Sequence, residues 1–259
     1  MATYYVKNSG NDGAAGTSTG TAWATIEKVN NTVTAGSHTV YFNRGDTWKE
    51  KLYPVSGVTY TAYGSGNKPI ITARDTLPGW STSGNWTNTG GNIWTMSYTG
   101  DTRRLWINGT EVKWQSGKSP SPELDVTSNY PWRLTSNVLY VYSTSNPATA
   151  FSLIEIGIVR SHALNISSED NVTISYLDLR GSGSTILLRN SDYFIADNCD
   201  IGKDCDGYGI EVWQLSTSET SNNAEIKNCT FDTGYTLYCT WRYSGASEDG
   251  INMGKNTNN

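Results

Sequence analysis

The sequence predicts an all-β protein in which short strands stack into a solenoid, and its composition is the first observation behind that prediction. Serine, threonine, asparagine, glycine and tyrosine dominate the 259 residues, as is typical of strands and turns. Aromatic residues at 12% argue against disorder. The net charge of −5 and the lack of a Lys/Arg stripe argue against a nucleic-acid binder. No apolar run of about 18 residues occurs, so we expect no membrane span.

A repeat in the C-terminal half is the second observation. The apolar residues of three segments recur with the same internal spacing, at offsets of 22 and then 30 residues: 172–179, 194–201 and 224–231. Asn198-Cys199 and Asn228-Cys229 fall at the same place in two of them. Short strands at this period predict a solenoid, whose inward residues are buried only when successive coils stack. An antiparallel sandwich also has short strands, but the matched dipeptides favour the solenoid.

The repeat register aligns individual side chains across coils. We predict two inward apolar ladders, made of Leu177, Cys199 and Cys229 and of Leu179, Ile201 and Phe231. A second strand series follows the first, with matching segments at 185–188, 209–212 and 250–253. The longer second offset is explained by a longer loop around 216–221.

The N-terminal part predicts a cap for this solenoid. Trp23, Ile26 and Val29 lie on one face of a predicted short helix, with Thr21 as its N-cap. Strands separated by turn residues are predicted at 39–42, 52–55, 59–62 and 69–72. A helix at the end of a solenoid covers the open apolar ladder and blocks strand addition.

The middle of the chain has a different pattern. Six tryptophans crowd between residues 74 and 156, and alternating strands are predicted at 93–96, 105–107, 138–142 and 152–156. The Asn108-Gly109 pair predicts a two-residue hairpin turn. We therefore divide the chain into a cap with the first coils at 1–73, an inserted antiparallel β unit at 74–156, and further coils at 157–259.

The four cysteines do not predict a zinc site. They have no C-x-x-C spacing, and neither of the two histidines lies near them in sequence. The register instead makes Cys199 and Cys229 buried, stacked thiols, since free cysteine behaves as a small core residue.

The two ends of the sequence lead us to expect a fragment of a longer protein. The N-terminus lacks the basic segment and apolar stretch of a signal peptide. The strand-like pattern at 250–253 stops within a few residues of the C-terminus.

Several of these residues carry a resemblance to a known group of proteins. The segments concerned are 4–6, 16–17, 22–26, 40–48 and 62–70, together with 106–109, 139–142 and 146–148. They resemble right-handed parallel β-helix proteins of the pectate-lyase-like superfamily, whose members include polysaccharide lyases, glycoside hydrolases, epimerases and phage tailspikes. The resemblance implies a right-handed parallel β-helix and an extracellular protein with a polysaccharide partner. It also implies a ligand groove along one outer face.

The first functional hypothesis is a polysaccharide lyase. Removing the proton beside a uronate carboxylate requires a base and a cation that neutralises the carboxylate. The register clusters Arg180, Lys203, Asp204 and Asp232 at one corner. Lys203 is the predicted base and Arg180 the acid or charge clamp, while Asp204, Asp206 and Asp232 are predicted ligands for Ca²⁺.

The second hypothesis is a glycoside hydrolase. It requires two carboxylates, which inverting enzymes hold roughly 6.5–9.5 Å apart. Adjacent coils can supply such a pair from Asp206 or Glu211 together with Asp249, which the register places one coil above Tyr208. The same register puts Glu211 outward on a strand, beside Leu187 and Asn252.

Aromatic residues near these groups are predicted to bind substrate. Tyr208, Trp213, Tyr235 and Trp241 offer flat faces on which sugars can stack. The alternatives are that the rings are packing under a loop and that the aspartates cap turns. A non-catalytic polysaccharide-binding module or a phage tail-fibre segment therefore stays open beside the two enzymes.

Overall fold

A computed structural model describes residues 1–112, 131–158, 161–205, 208–213, 221–232, 237–240 and 252–253. The chain forms two compact units. The first combines residues 1–73 with 160–259, and the second is the intervening segment 74–159. The fold is predominantly β, with two short α-helices and one 3₁₀ turn among the described residues.

The elements of the first unit before residue 74 are one helix and five strands. They are β1 (Thr3–Val6), α1 (Ile26–Thr32), β2 (Thr39–Asn43), β3 (Thr47–Trp48), β4 (Thr59–Tyr63) and β5 (Ile70–Thr72).

The second unit contributes eight strands, a short helix and a 3₁₀ turn to the described part of the chain. They are β6 (Arg74–Thr76), a 3₁₀ turn (Ser83–Asn85), β7 (Thr87–Gly90), β8 (Ile93–Ser97), β9 (Thr102–Ile107), β10 (Thr110–Val112), β11 (Trp132–Thr135), β12 (Val138–Tyr142), α2 (Pro147–Ala150) and β13 (Ile154–Ile158).

In the described residues after 160, the first unit continues with short strands. They are β14 (Leu164–Ser167), β15 (Thr173–Ser175), β16 (Asp178–Arg180), β17 (Ile186–Arg189), β18 (Ile195–Asp197), β19 (Asp200–Ile201), β20 (Ile210–Trp213), β21 (Glu225–Lys227), β22 (Thr230–Phe231), β23 (Leu237–Thr240) and β24 (Asn252–Met253).

Three parallel sheets organise the first unit. Sheet A has the order β1-β2-β4-β15-β18-β21-β24, sheet B has β22-β19-β16-β5-β3, and sheet C has β14-β17-β20-β23. From Thr173 onward, three successive repeats each add one strand to each sheet: β15, β16 and β17, then β18, β19 and β20, then β21, β22 and β23. Side chains one repeat apart therefore lie side by side.

The predicted inward ladders are confirmed. Leu179 pairs with Ile201 and Ile201 with Phe231 in sheet B. The Cys199 amide donates to the Cys229 sulfur at 3.4 Å, and both cysteines are free and buried. Burial raises the pKa of the Cys199 thiol well above its usual value, so this thiol behaves as a core group.

Left-handed backbone explains the matched Asn-Cys dipeptides. Tyr176, Asn198 and Asn228 occupy equivalent turns and have φ values of 57°, 54° and 53°. Asparagine tolerates this conformation better than most residues because its short polar side chain can bond locally. The asparagine of each dipeptide therefore meets a turn requirement, while the cysteine meets a packing requirement.

One predicted alignment is wrong. Residues 250–253 were expected to extend the series of 185–188 and 209–212, but β24 pairs with β21 in sheet A. The strand beside β20 is β23, so Glu211 lies next to Tyr238 and not Asn252. A glycine followed by alternating apolar residues suits a strand of either sheet, and this ambiguity caused the error. The segment Leu237–Thr240 provides the same alternation without a leading glycine.

The predicted helix exists but starts later than expected. Thr25, not Thr21, is the N-cap, and its hydroxyl accepts from the Lys28 amide at 3.0 Å. Trp23 is buried but lies in extended backbone that bridges to Val6. Asp12 accepts from the amides of residues 24 and 25, which holds this segment out of the helix. In the described part of the chain no helix is long and apolar enough to cross a membrane.

The strand predicted at 52–55 is reduced to a single bridge. Leu52 pairs with Leu164 there, outside any longer strand. Pro54 lacks a backbone N–H, which limits the hydrogen bonding available to this segment. The strands predicted at 39–42, 59–62 and 69–72 correspond to β2, β4 and β5.

In the described residues of the second unit there are two four-stranded sheets, ordered β10-β9-β13-β6 and β11-β12-β8-β7. All strand pairs in them are antiparallel. The predicted hairpin is confirmed, since Ile107 pairs with Thr110 across Asn108 and Gly109, which have φ values of 51° and 78°. Buried Trp86, Trp132 and Leu139 belong to this unit's own core.

Leu179→Ala should lower the free energy of unfolding by about 2–5 kcal/mol, because it leaves a cavity in a fully buried row. Urea denaturation followed by circular dichroism measures the change. Ser167→Ala is the control, since Ser167 is exposed on β14, and it should change stability by no more than about 0.5 kcal/mol. Equal losses in the two variants would contradict the assignment of inward and outward positions.

Candidate functional site

The outer surface of sheet C carries several of the predicted site residues. Its inward residues are all buried: Leu164, Ile166, Ile186, Leu188, Ile210 and Val212. Since side chains alternate along a strand, the intervening residues point outward. We call this set the site face, and it comprises Asn165, Ser167, Leu187, Arg189, Glu211 and Trp213. Leu187 is the buried member of the set, at 7% exposed. Glu211 lies next to Leu187 in the neighbouring strand, as predicted.

Glu211 is held by a hydrogen bond from the previous repeat. The Ser184 hydroxyl donates to Glu211 Oε2 at 2.5 Å. Ser184 is 5% exposed, while Glu211 is half-buried. One carboxylate oxygen is therefore fixed by the protein, and the carboxylate lies at the border between core and surface.

His162 contacts the same serine through its backbone. His162 Nδ1 lies 2.8 Å from the Ser184 carbonyl oxygen. Burial lowers the pKa of His162, and Lys51 lowers it further, against opposing effects of the Ser184 bond and of Glu211. Since the ordinary histidine pKa is about 6.5, the imidazole is neutral at pH 7.

Buried oxygens without hydrogen-bond partners lie close to this cluster in sequence and in register. Within the described residues they are Ser161 Oγ, Thr185 Oγ1 and Asn165 Oδ1. Ser161 and Thr185 are almost completely buried. A buried polar atom without a partner costs about 1–3 kcal/mol, so this end of sheet C carries polar groups that the fold itself does not satisfy.

A second polar region lies at the end of the sheet B strands. Arg180 donates two hydrogen bonds to Asp178, with Nε–Oδ1 at 3.0 Å and Nη2–Oδ2 at 2.6 Å. Arg180 Nη1 lies 3.9 Å from Asp204 Oδ2. On the adjacent strand Asp200 pairs with Lys68 at 2.8 Å. The corner is thus a network of alternating charges.

This network limits what Arg180 can do. Burial alone would lower the pKa of Arg180, but the hydrogen bonds and charge of Asp178 raise it above the usual arginine value. The guanidinium therefore stays protonated and cannot serve as a proton donor. Of the two roles expected for Arg180, only the charge clamp agrees with its surroundings.

The predicted corner cluster comes together only in part. Arg180 and Asp204 are neighbours, and Lys203 is exposed in the turn beside them. The sheet register puts Gly202 between Arg180 and Asp232, so Asp232 lies two strands away, roughly 10 Å. Within the described ranges no three acidic, histidine or cysteine side chains are placed to hold a metal ion.

The remaining predicted site residues divide into two groups. Tyr208 is half-buried in the turn before β20, where its carbonyl accepts from the Thr185 amide, and Trp213 is half-buried at the end of β20. Asp206, Tyr235, Trp241 and Asp249 lie outside the described residues. The register that placed Asp249 above Tyr208 relied on 250–253 joining sheet C, and that alignment is wrong.

Sequence reasoning missed His162, Ser184 and Asp178. His162 and Ser184 are one repeat apart, so extending the 22-residue register by one strand would have placed them side by side. Asp178 lies two residues before Arg180 on the same strand, and that spacing puts both side chains on one face.

Comparisons with known proteins give a likeness of fold. No family model and no curated protein matches the chain. XylC, solved with xylose, is similar over 88% of this chain and 54% of its own, at 13% identity and a TM-score of 0.54. A solved glycoside hydrolase is similar over 89% of this chain and 73% of its own length, at 9% identity and a TM-score of 0.49. The GH136 lacto-N-biosidase of Eubacterium ramulus covers 89% and 34% (15% identity, TM-score 0.46).

The chain therefore spans about half the length of XylC. At 13% identity this likeness shows a shared β-rich fold, and function has to be argued from the site.

Asp178→Asn should lower the free energy of unfolding by about 1–3 kcal/mol, because it removes a charged partner of a mostly buried guanidinium. Glu225→Gln is the control, since Glu225 forms an ion pair with Lys227 at 3.4 Å and is 48% exposed. That variant should change stability by about 0.5 kcal/mol or less. Urea denaturation of both variants at neutral pH measures the difference, and equal effects would contradict a structural role for the Arg180 network.

Proposed function

We propose that this chain is part of a right-handed parallel β-helix protein of the pectate-lyase-like type, and that it binds and cleaves a polysaccharide outside the cell. Three parallel sheets that gain one strand per repeat support the fold, together with the likeness to XylC. The observation that carries the function is Glu211, a half-buried carboxylate on the site face whose Oε2 accepts from Ser184.

Glu211 is the proposed proton-transfer group. Cleavage of a glycosidic bond by hydrolysis needs a carboxylic acid that protonates the leaving oxygen. Because Ser184 occupies Oε2, Oε1 is the oxygen that exchanges a proton with the substrate.

Trp213 is the proposed sugar platform. It lies two residues after Glu211 on the same outward face, about 6–7 Å along the strand. Aromatic rings bind the apolar faces of sugars while neighbouring polar groups bind the hydroxyls. Asn165 and Arg189 supply such polar groups on the two preceding strands.

Hydrolysis also needs a second carboxylate or an activated water. Asp206 is the residue we propose for that role, since it lies five positions before Glu211 in the sequence. Asp249 was predicted for this role because the register placed it above Tyr208. That register is wrong, since β24 belongs to sheet A.

A second candidate function is β-elimination of an acidic polysaccharide. The observation that favours it is the Arg180 guanidinium, which Asp178 holds in place and keeps protonated beside exposed Lys203. Arg180 would clamp a uronate carboxylate and Lys203 would remove the neighbouring proton. The described residues do not form a calcium site. The mechanism therefore assigns no role to Ca²⁺, and the assay is run both with and without it.

Glu211→Gln should reduce polysaccharide cleavage about 10²–10⁴-fold, because the amide cannot transfer the proton. The wild-type protein is first screened on neutral and acidic polysaccharides, with Ca²⁺ and with EDTA. New reducing ends and the ultraviolet absorbance of unsaturated uronides are recorded together. Hydrolysis yields reducing ends without absorbance, whereas β-elimination yields both.

Glu225→Gln is the matched control for this experiment, since it removes an exposed carboxylate from sheet A. It should cleave as fast as the wild-type protein. Full activity in Glu211→Gln would overturn the assignment of Glu211. If the wild-type protein cleaves none of the polymers but retains one of them in a pull-down, the protein binds a polysaccharide without cleaving it.

Lys203→Ala separates the two reactions. If absorbance develops, β-elimination predicts that this variant loses it at least 100-fold, since a positioned base contributes about that much. Lys227→Ala, at another exposed lysine, should leave absorbance unchanged. Equal absorbance in Lys203→Ala and the wild-type protein would exclude Lys203 as the base.

A further inference from the structure

We propose that His162 is a positioning residue for Glu211 and acts on it through Ser184. The hydrogen bonds that connect His162, Ser184 and Glu211 are independent of the proposed function. Their effect on catalysis rests on it. Three consecutive repeats supply one residue each: His162 before β14, Ser184 before β17 and Glu211 within β20. The parallel register puts His162 beside Ser184, and the Ser184 hydroxyl reaches Glu211, whose own register partner is Leu187.

Ser184 connects the other two through different atoms. Its carbonyl oxygen lies 2.8 Å from His162 Nδ1, and its hydroxyl lies 2.5 Å from Glu211 Oε2. The hydroxyl is the donor in this bond, so its proton points at Glu211. The imidazole therefore anchors the serine backbone from which the carboxylate is held.

The same geometry sets the tautomer of His162. A carbonyl oxygen cannot donate, so Nδ1 carries the proton and donates it to Ser184. In the neutral ring, Nε2 is then the nitrogen with a lone pair. His162 thus presents an unprotonated acceptor nitrogen just before β14. Its sequence neighbour Ser161, and Thr185 beside Ser184, carry buried oxygens without hydrogen-bond partners.

Protonation of His162 changes the charge beside Glu211. The groups that face the imidazole are Glu211 from β20, Lys51 from the segment before Leu52, and the Ser184 carbonyl. Tyr208 and Cys205 belong to the next repeat, where the Cys205 thiol donates to the Tyr208 carbonyl. Protonation of His162 therefore adds a positive charge beside the Glu211 carboxylate, and we expect it to appear as an acid limb in the pH profile of cleavage.

Nuclear magnetic resonance of the histidine side chains tests the network without any substrate. The chain has two histidines, so His38→Asn assigns the signals. We expect His162 to be an Nδ1–H tautomer at neutral pH, with a pKa below the ordinary 6.5. Glu211→Gln should lower that pKa further, since removing a negative charge disfavours the imidazolium, and Glu225→Gln should not change it. An Nε2–H tautomer, or a pKa insensitive to Glu211→Gln, would overturn the proposal.

Kinetics test the positioning role once a substrate is found. Asparagine places its amide nitrogen near the position of Nδ1 and does not titrate, so His162→Asn keeps the bond to Ser184. We expect His162→Ala and Ser184→Ala each to lower kcat about tenfold or more with little change in KM. His162→Asn should recover most of that loss and remove the acid limb that His162 contributes to the pH profile.

Each result is compared with thermal unfolding of the same variants. A His162→Asn protein as impaired in kcat as His162→Ala, with both folded, would contradict positioning by the Nδ1 bond. If Glu211→Gln lowers the His162 pKa but the variant still cleaves the polysaccharide, the proposed function is wrong and the network is supported. If Glu211→Gln is inactive but leaves the His162 pKa unchanged, the network is wrong and the proposed function is supported.

Discussion

In-register parallel pairing between repeats is the constraint on which the rest of the first unit depends. It decides which side chains form buried rows, such as Leu179 with Ile201, and by alternation which ones share the outer surface. No single repeat can bury its apolar side chains alone. The same pairing puts His162 beside Ser184, and a side-chain hydrogen bond from Ser184 adds Glu211 of the third repeat to this polar cluster. Core and site therefore have one physical origin.

The polar cluster at the start of sheet C is unusual in its burial. Ser184 uses both its carbonyl and its hydroxyl while almost fully removed from solvent. Ser161 and Thr185 nearby keep buried hydroxyls that no described residue satisfies. Natural folds rarely leave such groups unpaired, and local violations are concentrated at sites that serve something other than stability.

Much of the fold could be predicted from the sequence because the signals were local or periodic. The ladder of Leu179, Ile201 and Phe231 follows from spacing, and the Asn108-Gly109 turn follows from backbone preference. The start of α1 could not be predicted, since Asp12, far from it in sequence, binds the backbone there. The cluster around Glu211 could be predicted only in part. The outward position of the Glu211 carboxylate followed from the strand alternation, whereas the contact of His162 with Ser184 depends on a strand register that had not been extended to β14.

The unequal length of the repeats has a consequence for how such a protein can diversify. One repeat is longer than its predecessor by eight residues, yet β17 and β20, and β18 and β21, pair in the same register. The entropy of closing a flexible loop grows only with the logarithm of its length. Insertions between strands thus cost little stability and leave the buried rows intact. Loops beside the site face can be exchanged or grafted as independent modules, so selection can retune what is recognised without rebuilding the scaffold.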